Sequence, residues 1–188
     1  MQQLGVDLLS IAGHKVYAPK GIGALFVRRG TPIEPLIHGA GHEHGRRAGT
    51  ESALLAVGLG KACELARDLS AMERVRSIRD HFWSELQKRF DNQISLNGHP
   101  VHRLPNTLNV SFVGRNGAEL LARLDGVAAT TGSACHSGQV ELSPVLRAMG
   151  VKPAVGMGAV RFSLGRATTR DEIDTVLEQL TEVLASVS

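Results

Sequence analysis

Cysteine is scarce in this sequence: Cys63 and Cys135 are the only two in 188 residues. They occupy unlike surroundings, one in an apolar helical pattern and the other in a run of small and polar residues. A structural disulfide is therefore not expected, and a reducing compartment, by default the cytoplasm, fits best. Aromatic residues make up only 4%, which leaves no stacking platform for bases. The basic excess is small, 21 Lys and Arg against 18 Asp and Glu for a net charge of +3, and is scattered apart from doublets such as Arg28-Arg29 and Arg46-Arg47. Direct nucleic-acid binding is not expected from such a surface. No apolar run approaches the ~18 residues needed to span a bilayer, and Met1 to Gly5 lacks the charged and apolar parts of a secretion signal. No membrane partner is expected. Repeats and low-complexity segments are also missing. What remains is ordinary globular composition, 43% hydrophobic and 21% charged, which excludes disorder.

Hydrophobic periodicity divides the chain. Val6 to Ala12 and Gly23 to Arg29 are short apolar runs separated by the turn Pro19-Lys20-Gly21, and they read as buried, adjacent strands of one sheet. Thr31 to Gly49 is a long loop rich in glycine and histidine, and long ordered loops tend to be functional. Helical spacing then runs from Glu51 to Leu69 and again from about Met72 to Phe90, the second helix burying Val75, Ile78, Phe82, Trp83 and Leu86. After Asn97-Gly98 the rhythm alternates: strands at Thr107 to Val113, Val127 to Thr131 and Val160 to Leu164, helices at Gly117 to Leu124, Pro144 to Met149 and Asp171 to Val187. Such alternation predicts an α/β or α+β second domain. Thr168-Thr169-Arg170-Asp171-Glu172 supplies the cap hydroxyl and early carboxylates with which a helix starts. The front strands, loop and helix cannot close a core by themselves.

Two side chains carry chemistry that belongs together. Lys15 follows an apolar run and precedes a Pro/Gly turn, which suits an amine held at a strand end to capture a carbonyl cofactor as a Schiff base. His14 beside it could contact a cofactor phosphate, and nearby glycine amides suit an anion. Cys135 lies in Gly132-Ser133-Ala134-Cys135-His136-Ser137-Gly138, a stretch with little apolar cover that suits a thiol travelling to its substrate. Cys63, in the Leu/Ala-rich helix, is read as a packing residue. Arg161 opens an apolar strand, and a partly buried arginine calls for an anion: a substrate carboxylate or an internal salt bridge. The histidines His38, His42, His44, His99, His102 and His136 lack partners at regular spacing, with Glu43 the only acid near His42 and His44. Loop structure or anion contact is the better reading, and no metal site is expected.

Gly13-His14-Lys15 with Tyr17, Pro19, Lys20 and Gly21-Ile22-Gly23-Ala24-Leu25 resembles the cofactor-lysine segment of the cysteine desulfurases, pyridoxal-phosphate enzymes of the class V aminotransferase group. Arg47-Ala48-Gly49-Thr50, Leu104 to Asn109, Gly132 to Cys135, Ser143 to Leu146 and Arg161 to Arg166 resemble further segments of that family in the same order. The selenocysteine lyases share the scaffold and look similar. The resemblance implies the α/β fold of pyridoxal-phosphate-dependent transferases of the aspartate aminotransferase type. Residues 1–69 would be the remainder of the cofactor-binding large domain, and residues 70–188 an α+β small carboxy-terminal domain carrying the cysteine loop. It also implies that Lys15 holds the cofactor, pyridoxal 5'-phosphate, that His14 contacts its phosphate and that Thr50 reaches the phosphate of the partner subunit in a homodimer. Cys135 would take the sulfur as a persulfide and Arg161 would hold the substrate carboxylate. The substrate would be L-cysteine, giving alanine, or selenocysteine. Sulfur would pass to an acceptor protein, with iron–sulfur cluster assembly, thiolated RNA or a sulfur-containing cofactor as its destination.

The sequence departs from the family pattern at several positions. Ala12 stands where many desulfurases carry a phosphate-binding serine, Ser52 where asparagine or proline is common, and His136 after the cysteine leans towards the selenocysteine lyases. The Cys135 to Ser143 spacing instead matches desulfurases with a long catalytic loop. In the family the lysine lies mid-chain, after the segment that supplies the stacking histidine and the aspartate paired with the pyridine nitrogen. The expectation is therefore a fragment with weak or no turnover by itself, or a non-catalytic module that dimerises or binds a sulfur acceptor.

Overall fold

A computed structural model describes residues 2–132 and 141–186. The chain divides into two compact units, residues 1–69 and residues 70–188.

In the first unit, strands β1 (Leu8–Ala12) and β2 (Gly23–Val27) pair antiparallel, with Leu8 opposite Val27 and Ala12 opposite Gly23. They are adjacent, as the sequence predicts, but they are not buried. Alternate residues of β1 are exposed, and so are the first three of β2. A two-stranded ribbon has two faces, and these 69 residues contain too little structure to cover both. The loop beyond β2 holds only a short 3₁₀ turn at His42–Gly45 before helix α1 (Ala53–Leu65). Ser52, which stands where the family commonly has asparagine or proline, is the cap of α1: its hydroxyl accepts from the Leu55 amide at 3.4 Å. The helix is apolar around most of its circumference, yet only Ala62 is buried. Cys63 is a free and exposed thiol, which corrects its reading as a packing residue. A helix that is apolar all round can bury only the stripe that its own unit covers.

The second unit is built on an antiparallel sheet ordered β3 (Ile94–Leu96), β4 (Thr107–Phe112), β5 (Ala159–Ser163). Alternation sends Leu108, Val110, Phe112, Val160 and Phe162 to one face. There they form one core with Val75, Phe82 and Leu86 of helix α2 (Ser70–Phe90) and Ile173, Leu177, Leu180 and Leu184 of the terminal helix. Each such side chain contributes about 1.5–3 kcal/mol by leaving water. Phe82 meets Phe162 edge to face, with ring centroids 5.0 Å apart. Between β4 and the terminal helix lie the short helices α3 (Gly117–Ala122), α4 (Pro144–Ala148) and α5 (Pro153–Gly156). The terminal helix α6 (Arg170–Ala185) starts with a complete capping box, Thr169 and Glu172 each bonding the other's backbone amide. On the opposite face of β5, Ala159 joins Leu142 and Leu146 in a small second cluster.

Ile78 and Trp83 are only half-buried, while Arg79 of the same helix is buried. The expected strand at 127–131 reduces to a single bridge, Thr130 to Arg161, because Gly126 turns with positive φ and Asp125 is held by Gln179 of α6 instead of by β5. β3 was not foreseen, being too short for an alternating pattern to register.

Candidate active site

Lys15 rises from a 3₁₀ turn, Gly13–Val16, that continues directly from β1. The Gly13 amide donates to the Ile22 carbonyl at 2.9 Å, and the Ala18 amide donates back to Gly13 at 3.0 Å. The backbones approach so closely that a Cβ on Gly13 would lie 2.6 Å from Ile22 O, and one on Gly23 2.5 Å from Ile11 O. Glycine is obligatory at both positions for that reason. Tyr17, at φ 66°, closes the turn, and α1 packs against it. On this base His14 and Lys15 are both exposed. Thr50, also exposed, ends the long loop just before α1. The loop is tied by the Ala48 amide on Ile37 O at 3.2 Å and by His42, whose Nδ1 accepts from the Gly49 amide at 3.4 Å. His42 is thus a loop-fixing residue.

Cys135 lies outside the described residues, but the chain on both sides of it is anchored in the second unit. On the amino-terminal side, Arg161 N donates to Thr130 O at 2.7 Å and Thr130 N donates to Arg161 O at 3.2 Å. The Thr130 hydroxyl also accepts from the Gly132 amide at 3.1 Å. On the carboxy-terminal side, Leu142 packs with Ala159, two residues before Arg161 in β5. Arg161 itself is exposed, which corrects its reading as partly buried. It alternates away from Val160 and Phe162, which fill the core. Among the described residues no ion pair involves its guanidinium, so the internal salt bridge weighed from the sequence is not found there.

A second arginine group escaped the sequence reading. Arg79 is buried within α2 and donates to Leu104 O at 2.6 Å and to Asp80 Oδ1 at 2.9 and 2.6 Å. It thereby holds the start of the Leu104 to Asn109 segment, whose Asn106 carbonyl in turn accepts from Leu164 at 2.8 Å. Arg103 approaches the same Asp80 oxygen at 3.6 Å, with its Nε and Nη1 buried without partners. Burial and, after it, the Arg79 charge pull the Arg103 guanidinium below its ordinary value, while Asp80 pulls it back up. An arginine one helical turn beyond Val75, on the apolar side of α2, was the available signal. Among the described residues no three His, Cys, Asp or Glu side chains gather as a metal site would require. Nor is any described helix long and apolar enough to cross a membrane.

The chain belongs to the aminotransferase class-V family, which it matches over residues 1–176, a family of pyridoxal-phosphate enzymes. Relatives that it matches include cysteine desulfurases. Cysteine desulfurase IscS of Dictyoglomus turgidum is 45% identical over 195 residues, covering 100% of this chain and 49% of the relative. A cysteine desulfurase of Gluconacetobacter diazotrophicus is 46% identical over 186 residues, covering 97% and 46%. Among solved structures, a NifS-like protein superimposes with a TM-score of 0.85 at 34% identity, over 99% of this chain and 48% of its own. SspA in complex with cysteine gives a TM-score of 0.67 at 33% identity, over 89% and 46%. The chain therefore has the mixed α/β fold of NifS-like enzymes and spans about half the length of the curated relatives it matches.

Proposed function

We propose that this chain carries the lysine- and cysteine-bearing part of a pyridoxal-phosphate-dependent cysteine desulfurase. Residues 1–69 belong to the cofactor-binding domain and residues 70–188 form the small carboxy-terminal domain. The observation that carries this reading is the anchoring on β5: Thr130 and Leu142, on either side of Cys135, are held at and beside Arg161. A substrate carboxylate on Arg161 would thus lie near Thr130, on the amino-terminal side of the thiol in the chain.

The residues of the first unit fit the carbonyl and phosphate ends of the cofactor. Lys15 offers an exposed amine with no ion pair among the described residues. His14 and Thr50 offer side-chain donors for a phosphate, Thr50 to that of a second copy in a homodimer. When bound, the cofactor supplies an electron sink at the substrate's α carbon. Arg161 grips the substrate carboxylate with its two-pronged guanidinium. The Lys15 amine moves a proton at the α carbon. Cys135 thiolate attacks the substrate sulfur, so that an S–S bond forms as the C–S bond breaks. The C–S electron pair stays with carbon, which takes up a proton to leave as alanine, and Cys135 retains the persulfide. A sulfur-acceptor protein then removes the outer sulfur. L-cysteine is favoured as substrate by the cysteine desulfurase names of the relatives and by the cysteine bound to SspA. A cytoplasmic location suits a thiol that must stay reduced.

The test is reduction of the chain with borohydride in the presence of pyridoxal phosphate, followed by peptide mass spectrometry. Lys15 is expected to carry the label well ahead of Lys20, and equal labelling of the two overturns the assignment. Sulfide release from cysteine, with the amino-terminal half of a relative added, should disappear in Cys135→Ser.

A further inference from the structure

Arg161 is one position in a polar row that crosses the sheet of the second unit. In β4, Asn109 is its direct cross-strand partner. On its other side stands Thr130, through the isolated bridge. Beyond Asn109 comes Asn97, whose amide N–H donates to Asn109 O at 2.9 Å just past the end of β3. Residues paired directly across antiparallel strands share a face, with Cβ atoms about 4.5–5.5 Å apart. This face is opposite to that of Leu108, Val110, Val160 and Phe162.

Hydrogen bonding gives the row a polarity. Asn97 Nδ2 donates to Asn109 Oδ1 at 2.9 Å and to the Oγ of fully buried Ser111 at 2.8 Å. A donor facing Asn109 requires the amide oxygen there, so Asn109 is left with its NH2 group to offer. The Thr130 hydroxyl accepts from Gly132 N and retains its own hydrogen to donate. Arg161 can only donate. Three neighbouring side chains in register thus present donors, with the one side-chain oxygen of Asn109 already engaged. A surface of this kind suits an anion with two acceptor oxygens.

We infer that Asn109 and Thr130 flank Arg161 as two further donors of a single carboxylate site, with Asn97 as the positioning residue that fixes the Asn109 amide. The inference rests on the reading of Arg161 as the carboxylate-binding residue, and it assigns specificity to two residues that flank it.

The Asn109→Asp substitution separates binding from structure. It keeps the oxygen that Asn97 needs, replaces the donating NH2 with an acceptor and places a carboxylate beside Arg161. The full chain is titrated with L-alanine, the expected product, while the Arg161 side-chain ¹⁵Nε resonance and the melting temperature are followed. Thr130→Val should weaken L-alanine binding about three- to tenfold and Asn109→Asp by more than about tenfold, as expected for loss of hydrogen bonds to a charged group. Asn109→Asp should leave the melting temperature within a few degrees of the parent. Unchanged affinity in both variants overturns the inference while Arg161 keeps its role. Affinity losses that merely follow a fall in melting temperature also overturn it, because the row would then be structural. An Arg161 resonance that is silent to L-alanine in the parent chain removes the carboxylate role of Arg161 itself, and the inference with it.

Discussion

Residues 1–69 and 70–188 place their apolar side chains in opposite ways. In the first unit, α1 leaves Leu54 82% and Val57 73% exposed, and the ribbon leaves Leu8 and Leu25 about half exposed. In the second, α6 buries Ile173, Leu177, Leu180 and Leu184 on one stripe against α2 and the sheet. Both helices form from ordinary helix-favouring sequence, but only α6 carries the amphipathic stripe of a helix with a core beneath it. The apolar circumference of α1 stays exposed apart from Ala62. Apolar faces of that kind mark an interaction surface. Helix formation is local, whereas helix burial needs partners.

The largest effect is expected from a matched pair of truncations. Leu177→Ala, at a fully buried position, should destabilise the second unit by about 3–4 kcal/mol in urea unfolding. Leu54→Ala in α1 should change stability by less than about 0.5 kcal/mol. Equal effects would mean that α1 is as well packed as α6. A smaller loss is expected from Asp80→Asn, which removes the carboxylate between buried Arg79 and Arg103. Because Asp80 is half exposed, the expected cost is about 2 kcal/mol, and an unchanged unfolding midpoint would show that the guanidinium bonds to Leu104 and to water suffice.

The smallest effect concerns the surface of α2. The hydrogen bond from Lys88 holds the Glu85 carboxyl below its ordinary value of 4.5, with the Lys88, His81 and Arg89 charges assisting. A carboxyl with a depressed folded-state pKa stabilises above its unfolded value and loses that contribution as pH falls through the folded one. Glu85→Gln should therefore be slightly less stable than the parent at pH 7, and the gap should close below pH 4.5. A gap that widens on acidification would reverse the assignment.

Much of the second unit could be read directly from the sequence. The α2 and α6 spans, the Thr169 cap and the β4 and β5 strands follow from periodicity and capping, which depend on residues a few positions apart. Less of the site could be read. Lys15, Cys135 and Arg161 stand out by residue type and local context, whereas Arg79 and Asn97 act through partners 25 and 12–14 positions away. Val127 to Ala129 has strand-like composition, but the chain reaches it through the Gly126 turn, with the Asp125 backbone held by Gln179 of α6, and pairing with β5 is confined to Thr130.

The Thr169 cap, the apolar stripe of α6 and the side chains able to do chemistry are legible in the residues alone, because each depends on neighbours along the chain. The tertiary structure alone decided that α1 and Cys63 are exposed, that Arg79 is buried beneath Leu104, and that Asn97, Asn109, Arg161 and Thr130 stand in one row. Those outcomes depend on strand register and on what covers each face, and both are set by contacts between segments far apart in the chain.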